Sequence, residues 1–306
     1  MTAPGILLVD KPGGLTSHDV VARARRALGT RKIGHAGTLD PMATGLLVLG
    51  VEGATRLLTF IVGADKTYTA TIRLGAHSTT DDAEGEITAP ATPAALAAVD
   101  DARIAAGVQA LTGPITQVPS AVSAIKVDGR RAYDRVRAGE EVELAARDVT
   151  VSRFDVHDIR RDEEGIEIDV IVDCSSGTYI RALARDLGRG LGVGGYLTAL
   201  RRTRVGPFDV AEAGGIDELA VHPRLSAAVA AARVLPRLDV SADEARDLRH
   251  GKRLVGQRER IPGARAAAID PAGSLVGIVE PRGADLKSTM NMPEPGGVAA
   301  AEGERA

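Results

Sequence analysis

Two stretches of the chain alternate strictly between apolar and polar residues, and this alternation constrains the fold more than any other feature. Tyr68, Ala70, Ile72 and Leu74 interleave with Thr69, Thr71 and Arg73, while Ile166, Ile168, Val170 and Val172 interleave with Glu167 and Asp169. A period of two places one apolar and one polar face on an extended strand, so both segments read as half-buried strands. Gly5 to Val9 reads as a short buried strand ending at the turn residues Lys11-Pro12-Gly13-Gly14. Ser17 is expected to cap a helix whose inner face carries Val20, Val21, Ala24 and Leu28. A polar, glycine-rich loop over Gly34 to Ala43 precedes an apolar strand at Leu46 to Val51, and Thr178 to Leu191 has helical spacing through Ile180, Leu183, Ala184 and Leu187. Strands and helices without a regular βαβ rhythm predict an α+β fold, with a mainly antiparallel mixed sheet flanked by helices.

A boundary is expected after the alanine run near Val234, dividing a large unit (1–234) from a small β-rich one (235–292) with strands near Ala266 to Ile269 and Leu275 to Val279. The Pro, Gly, Ala and Glu tail over 293–306 is expected to be disordered. The longest apolar runs, Leu46 to Val51 and Leu57 to Val62, fall well short of the roughly 20 residues of a membrane helix. The opening MTAPGILLVDKP lacks the layout of a signal peptide. A single cysteine, Cys174, excludes an internal disulfide and a multi-cysteine zinc site, which fits a cytoplasmic setting.

The net charge of −3 excludes a uniformly basic nucleic-acid binder. Basic residues nevertheless cluster at Lys11 to Lys32, Arg181 to Gly206 and Arg246 to Arg265, with acid concentrated at Asp81 to Glu86 and Asp158 to Asp173. Such segments can gather into one positive face, as a phosphate backbone requires.

The segment Gly34-His35-Ala36-Gly37-Thr38-Leu39-Asp40-Pro41, continued by Met42-Ala43-Thr44-Gly45, combines glycines that let backbone approach a ligand with an Asp-Pro turn that presents a carboxylate. With its neighbours it resembles the bacterial TruB family of tRNA pseudouridine synthases. The resemblance runs through Asp10-Lys11-Pro12-Gly13-Gly14-Leu15-Thr16-Ser17, the loop itself, Lys66-Thr67-Tyr68 and Val118-Pro119-Ser120 to Tyr133. It continues in Cys174-Ser175-Ser176-Gly177-Thr178-Tyr179-Ile180-Arg181 and Leu200-Arg201-Arg202-Thr203. Ala36, Thr38 and Met42 are positions where some relatives carry other small or apolar residues.

The resemblance implies a pseudouridine synthase fold with a PUA-like RNA-binding domain over 235–292. It implies isomerisation of a uridine in the T loop of tRNA (position 55), without metal or other cofactor, with Asp40 as the covalent nucleophile attacking either C1′ or C6. Arg181 would pair with Asp40 and keep it ionised, and Tyr68 would stack on the target base. Tyr179 and Leu200 would line the base pocket. The buried base must be flipped out of its stack, at roughly a few kcal/mol, and His35 would fill the space it leaves. Lys126, Arg130, Arg131, Arg135 and Arg137 lie where the family has an RNA-clamping insertion (about 117–147). Lys11, Lys66, Arg201, Arg202 and Arg204 are expected RNA contacts. The implied partner is tRNA, through its T arm and acceptor side, with no membrane and no obligatory protein partner.

Two other readings use the same residues: an RNA chaperone for which catalysis is incidental, and a guide-RNA-dependent enzyme in a larger particle. The chain lacks the long Lys-rich extensions that the second would use. Gly190-Leu191-Gly192-Val193-Gly194-Gly195 satisfies G-x-G-x-x-G but follows a helix rather than a strand, which argues against a dinucleotide site.

Overall fold

The two alternating segments become neighbouring central strands of one large sheet. A computed structural model describes residues 2–293 apart from 121–125, 128–129 and 132–143, with backbone alone at 126–127 and 130–131. The tail over 294–306 and much of the expected insertion, including Arg135 and Arg137, lie outside the described residues. In chain order the strands are β1 (Gly5–Lys11), β2 (Ile33–His35), β3 (Thr44–Val51), β4 (Lys66–Leu74), β5 (His77–Ser78), β6 (Ile87–Thr88), β7 (Gly113–Gln117), β8 (Lys126–Val127) and β9 (Arg130–Arg131). They continue with β10 (Arg147–Arg161), β11 (Ile166–Cys174), β12 (Gly195–Val205), β13 (Phe208–Asp209), β14 (Arg237–Asp239), β15 (Ala266–Ile269), β16 (Leu275–Arg282) and β17 (Asp285–Asn291).

Among the described residues the main sheet runs β1-β3-β12-β4-β11-β10-β7, with β2 added to β3 and β13 to β12. Its pairings are antiparallel except for a short parallel contact where Arg201 and Arg202 of β12 meet Thr44 and Gly45 of β3. The register sets Tyr68 against Val172 and Ile72 against Ile168, so the apolar faces of β4 and β11 coincide. That face packs on the helix Ile180–Leu191 through Ile180, Leu183, Ala184 and Leu187, and on Ile104 and Val108 of the helix Asp101–Ala110. The opposite face of β4 and β11 stays partly open and polar, laced by bonds such as Thr71 to Asp169 at 2.7 Å.

β1 and β3 are buried on both faces, which is why their sequences are apolar without alternation. Leu7, Val9, Leu47 and Leu49 meet Val20, Val21, Ala24 and Leu28 of the helix Ser17–Leu28. Ile6, Leu8, Leu46 and Val48 belong to a second cluster that includes the alanine helix Ala227–Val234 and Ala267, Ile269, Leu275 and Ile278 of the C-terminal sheet. That sheet, ordered β14-β15-β16-β17, also has a cluster of its own around Leu238, Leu248, Val276 and Leu286. Among the described residues no helix is long and apolar enough to cross a membrane, which says nothing of strand-built barrels.

One expectation is corrected. The cap of the first helix is Thr16, whose hydroxyl accepts from Asp19 N–H at 3.1 Å while Asp19 accepts from Thr16 N–H at 2.9 Å. Ser17 is the first helical residue, fully buried, and its hydroxyl bonds elsewhere.

Candidate active site

The glycine-rich loop joins β2 to β3, and nearly every residue from 37 to 41 is held from beneath by a distant side chain. Gly37 has φ +87° and Gly45 φ +99°, backbone that favours glycine. A Cβ at Gly45 would stand 2.2 Å from the Arg202 carbonyl oxygen, so β3 and β12 can approach there only without one. Arg202 donates to Gly37 O at 3.1 Å, Thr38 O at 3.3 Å and Leu46 O at 2.8 Å. Ser17 Oγ accepts from Leu39 N–H at 2.8 Å and lies 3.2 Å from Leu39 O. Lys11 Nζ donates to Pro12, Leu15 and Pro41 carbonyls at 2.9, 2.7 and 3.2 Å.

Asp40 emerges from this braced loop. Arg181 Nε lies 3.0 Å from its Oδ2, and Arg181 Nη1 reaches Asp82 Oδ2 at 3.1 Å and Thr80 O at 2.9 Å. The guanidinium is thus forked between two carboxylates, one half-open at the site (Asp40, 33% exposed) and one buried beneath it (Asp82, 3%). Asp82 is fixed in the turn between β5 and β6, accepting from Glu84 N–H at 3.1 Å and from the Thr80 hydroxyl at 2.5 Å.

Beside Asp40 lies a cavity of about 280 Å³ whose lining includes Tyr68, Tyr179, Arg181 and Leu200. It is at the small end of ligand sites. Gln117, 2% exposed, locks the Tyr179 backbone by accepting from its N–H at 3.0 Å and donating to its carbonyl at 3.2 Å. His35 stands edge-on to His18, with ring centroids 5.5 Å apart.

Burial raises the Asp40 carboxyl above the usual carboxylate range, Arg181 opposes this, and Asp82 adds to it. Burial also raises the Tyr68 hydroxyl, with Arg202 opposing. Glu84 is raised by burial, then by Asp82 and Asp40.

The structure therefore brings Asp40, Tyr68, Tyr179, Arg181 and Leu200 to one cavity. Three of the expected RNA contacts are turned inward. Lys11, Lys66 and Arg202 are 0, 6 and 1% exposed, and their donors are turned onto backbone carbonyls; those of Lys66 are Val62 O at 2.7 Å and Ala64 O at 2.6 Å. Burial pulls both lysines down to about 8. Arg201 is partly exposed but gripped by Asp10 at 2.9 and 2.7 Å, and Arg204 donates to Thr67 Oγ1 at 2.9 Å. Lys126 and Arg130 sit on the β8–β9 pair, their side chains outside the described residues. Sequence reasoning missed Asp82, Gln117 and the bracing role of Ser17. No sequence signal pointed to the first, which meets Arg181 across 99 residues.

A family model for the N-terminal domain of TruB family pseudouridylate synthases matches residues 25–180. Models for the C-terminal domain of tRNA pseudouridylate synthase B and the C-terminal part of tRNA pseudouridine synthase II match 181–231 and 235–293. The solved Cbf5-Nop10-Gar1 complex contains a chain of similar fold, with TM-score 0.67 and 26% identity over 90% of this chain and 78% of that one. The architecture is thus that of the pseudouridine synthases. Among curated proteins, tRNA pseudouridine synthase B of Leifsonia xyli is 61% identical over 96% of this chain and 98% of its own length. The protein of that name from Nocardia farcinica is 59% identical over 91% and 90%. The chain belongs to the TruB family, and is an isomerase that converts uridine to pseudouridine in tRNA.

Proposed function

We propose that the target is a uridine of the T loop, that its base is flipped out of the stack into the cavity beside Tyr68, and that Asp40 attacks it covalently. The observation that carries this reading is the Asp40 carboxylate, held 3.0 Å from Arg181 at the cavity wall on a braced loop. Isomerisation breaks the N1–C1′ bond, turns the uracil and forms C5–C1′; a proton leaves C5 and one is taken up at N1, so atoms and electrons balance within the substrate. A carboxylate adding to C1′ or to C6 divides this into easier steps and holds the fragments together. Arg181 fixes which oxygen faces the substrate, and Tyr68 stacks on the base. Tyr179 and Leu200 close the pocket, while His35 fills the gap left in the RNA. The insertion carrying Lys126 and Arg130 clamps the T arm, and the segment from residue 235 holds the acceptor side.

The test is to incubate the purified chain with one unmodified tRNA transcript and map pseudouridine base by base. Wild type should give a single new pseudouridine, in the T loop. Asp40→Asn should give none while its affinity stays within a few fold, because phosphate contacts survive. Modification elsewhere would overturn the T-loop assignment, and residual turnover above about one per cent would remove Asp40 as nucleophile.

A further inference from the structure

The helix Ser17–Leu28 starts beneath the reactive loop, where Ser17 bonds Leu39, and runs away from it. His18, Ala22, Arg25, Arg26 and Gly29 are spaced by three or four residues, so they form one outward stripe. At its near end His18 meets His35, which lies on the strand leading into the reactive loop. At its far end Ala22, Arg25, Arg26, Gly29, Thr30 and Arg31 line an open depression of about 750 Å³. Arg23, Arg25, Arg26, Arg31 and Lys32 in and beside this stretch are all exposed. None of the five forms an ion pair among the described residues, whereas Arg153, Arg160, Arg185, Arg249 and Arg260 elsewhere each hold a carboxylate.

The helix itself does not require this charge. Its end is closed by backbone, Gly29 N–H donating to the carbonyls of Arg25 and Arg26 and Thr30 N–H to that of Arg25 at 3.2 Å. A helix C-terminus carries only about half a negative charge, which one or two cations satisfy. The acids nearest in sequence are already engaged: Asp19 holds the Thr16 cap and Glu52 accepts from the Thr30 hydroxyl. In a chain of net charge −3, exposed cations that make no ion pair of 4 Å or less among the described residues, of which only Arg23 feels a nearby acid, Asp19, form a local field suited to a polyanion.

We infer that this stripe is a phosphate track that holds the RNA backbone leading away from the modified uridine. The inference rests on the RNA substrate proposed above. From Ser17 to Leu28 the helix extends about 17 Å, so the track reaches several nucleotides past the cavity. It adds affinity without reading sequence, since cations facing phosphates position RNA but carry no base information.

The experiment measures binding of the full chain to one unmodified tRNA transcript over a range of salt. The triple variant Arg25→Gln, Arg26→Gln, Arg31→Gln should bind roughly tenfold or more weakly at low salt, and its log–log salt slope should flatten by about 2. Lysines at the same three positions should restore both, because each phosphate needs only a charge. An unchanged slope in the glutamine variant would overturn the proposal. So would equal weakening in the lysine variant, which would trace the effect to Arg25's bond to Ile33 O at 3.0 Å. Failure of the T-loop reading would show separately, as wild-type modification at another site.

Discussion

At Asp40 burial and the neighbouring Asp82 oppose Arg181, and the balance leaves the carboxyl raised. In the proposed mechanism the attacking form is the anion, so single-turnover rates should fall on acidification at a pH above the ordinary carboxylate value of 3.8. The same shift has a sign for folding. A group raised in the folded state adds stability below its unfolded value and loses it as pH rises through the folded one, so ionised Asp40 is a burden at neutral pH. Asp40→Asn should therefore melt higher than wild type at pH 7, with the gap closing near about pH 4. A lower melting temperature at pH 7 would mean that the pairing with Arg181 outweighs burial. Arg181→Lys tests the fork: one ammonium cannot span Asp40 and Asp82 as the guanidinium does at 3.0 and 3.1 Å. With the orientation of the proposed nucleophile lost, the single-turnover rate should drop roughly a hundredfold while tRNA affinity changes little. A near-normal rate in the lysine variant would take Arg181 out of the site.

At the scale of elements, the braced loop depends on the first helix and on β12 as much as on its own residues. Ser17→Ala would leave the buried Leu39 amide without its partner, costing about 1–3 kcal/mol in urea unfolding and slowing the chemical step. An unchanged unfolding curve would show that the bond is not a brace. The half-buried strands β4 and β11 were legible because alternation reports directly which face is covered, and β1 and β3 because an unbroken apolar run implies cover on both. The helix cap was misplaced by one residue because Thr16 and Ser17 are both able caps. Asp19, three residues beyond Thr16, was the distinguishing signal. The roles of Lys11, Lys66 and Arg202 were not legible, since a cation in a motif looks alike whether it faces phosphate or carbonyl. Which carbonyls need a donor depends on contacts across as many as 165 residues. Asp82 was hidden for the converse reason: an acidic run reads as solvated unless the fold supplies a buried arginine.

For the molecule as a whole, the C-terminal sheet has a core of its own yet also joins, with the helix Ala227–Val234, the cluster that lies on one face of β1 and β3. Truncation after Val234 would uncover part of the cluster around Leu8, Leu46 and Val48, each large aliphatic side chain representing about 1.5–3 kcal/mol when buried. The shortened chain should melt lower and lose reaction on a minimal T-arm hairpin as well as on whole tRNA. Full hairpin turnover at an unchanged melting temperature would show that the segment is separable. The bracing of the reactive loop also has a consequence for how the enzyme comes into being. The ribosome finishes Asp40 long before Arg181 and Arg202, by roughly 10–30 s at ordinary synthesis rates. Until those arginines arrive the carboxylate lacks its counter-ion and the loop lacks the donors to Gly37 and Thr38, with only Ser17 and Lys11 on hand to brace it. A nascent chain therefore carries the proposed nucleophile without its counter-ion, and on that reading competence to break a glycosidic bond appears only once the strand bearing Arg202 has docked.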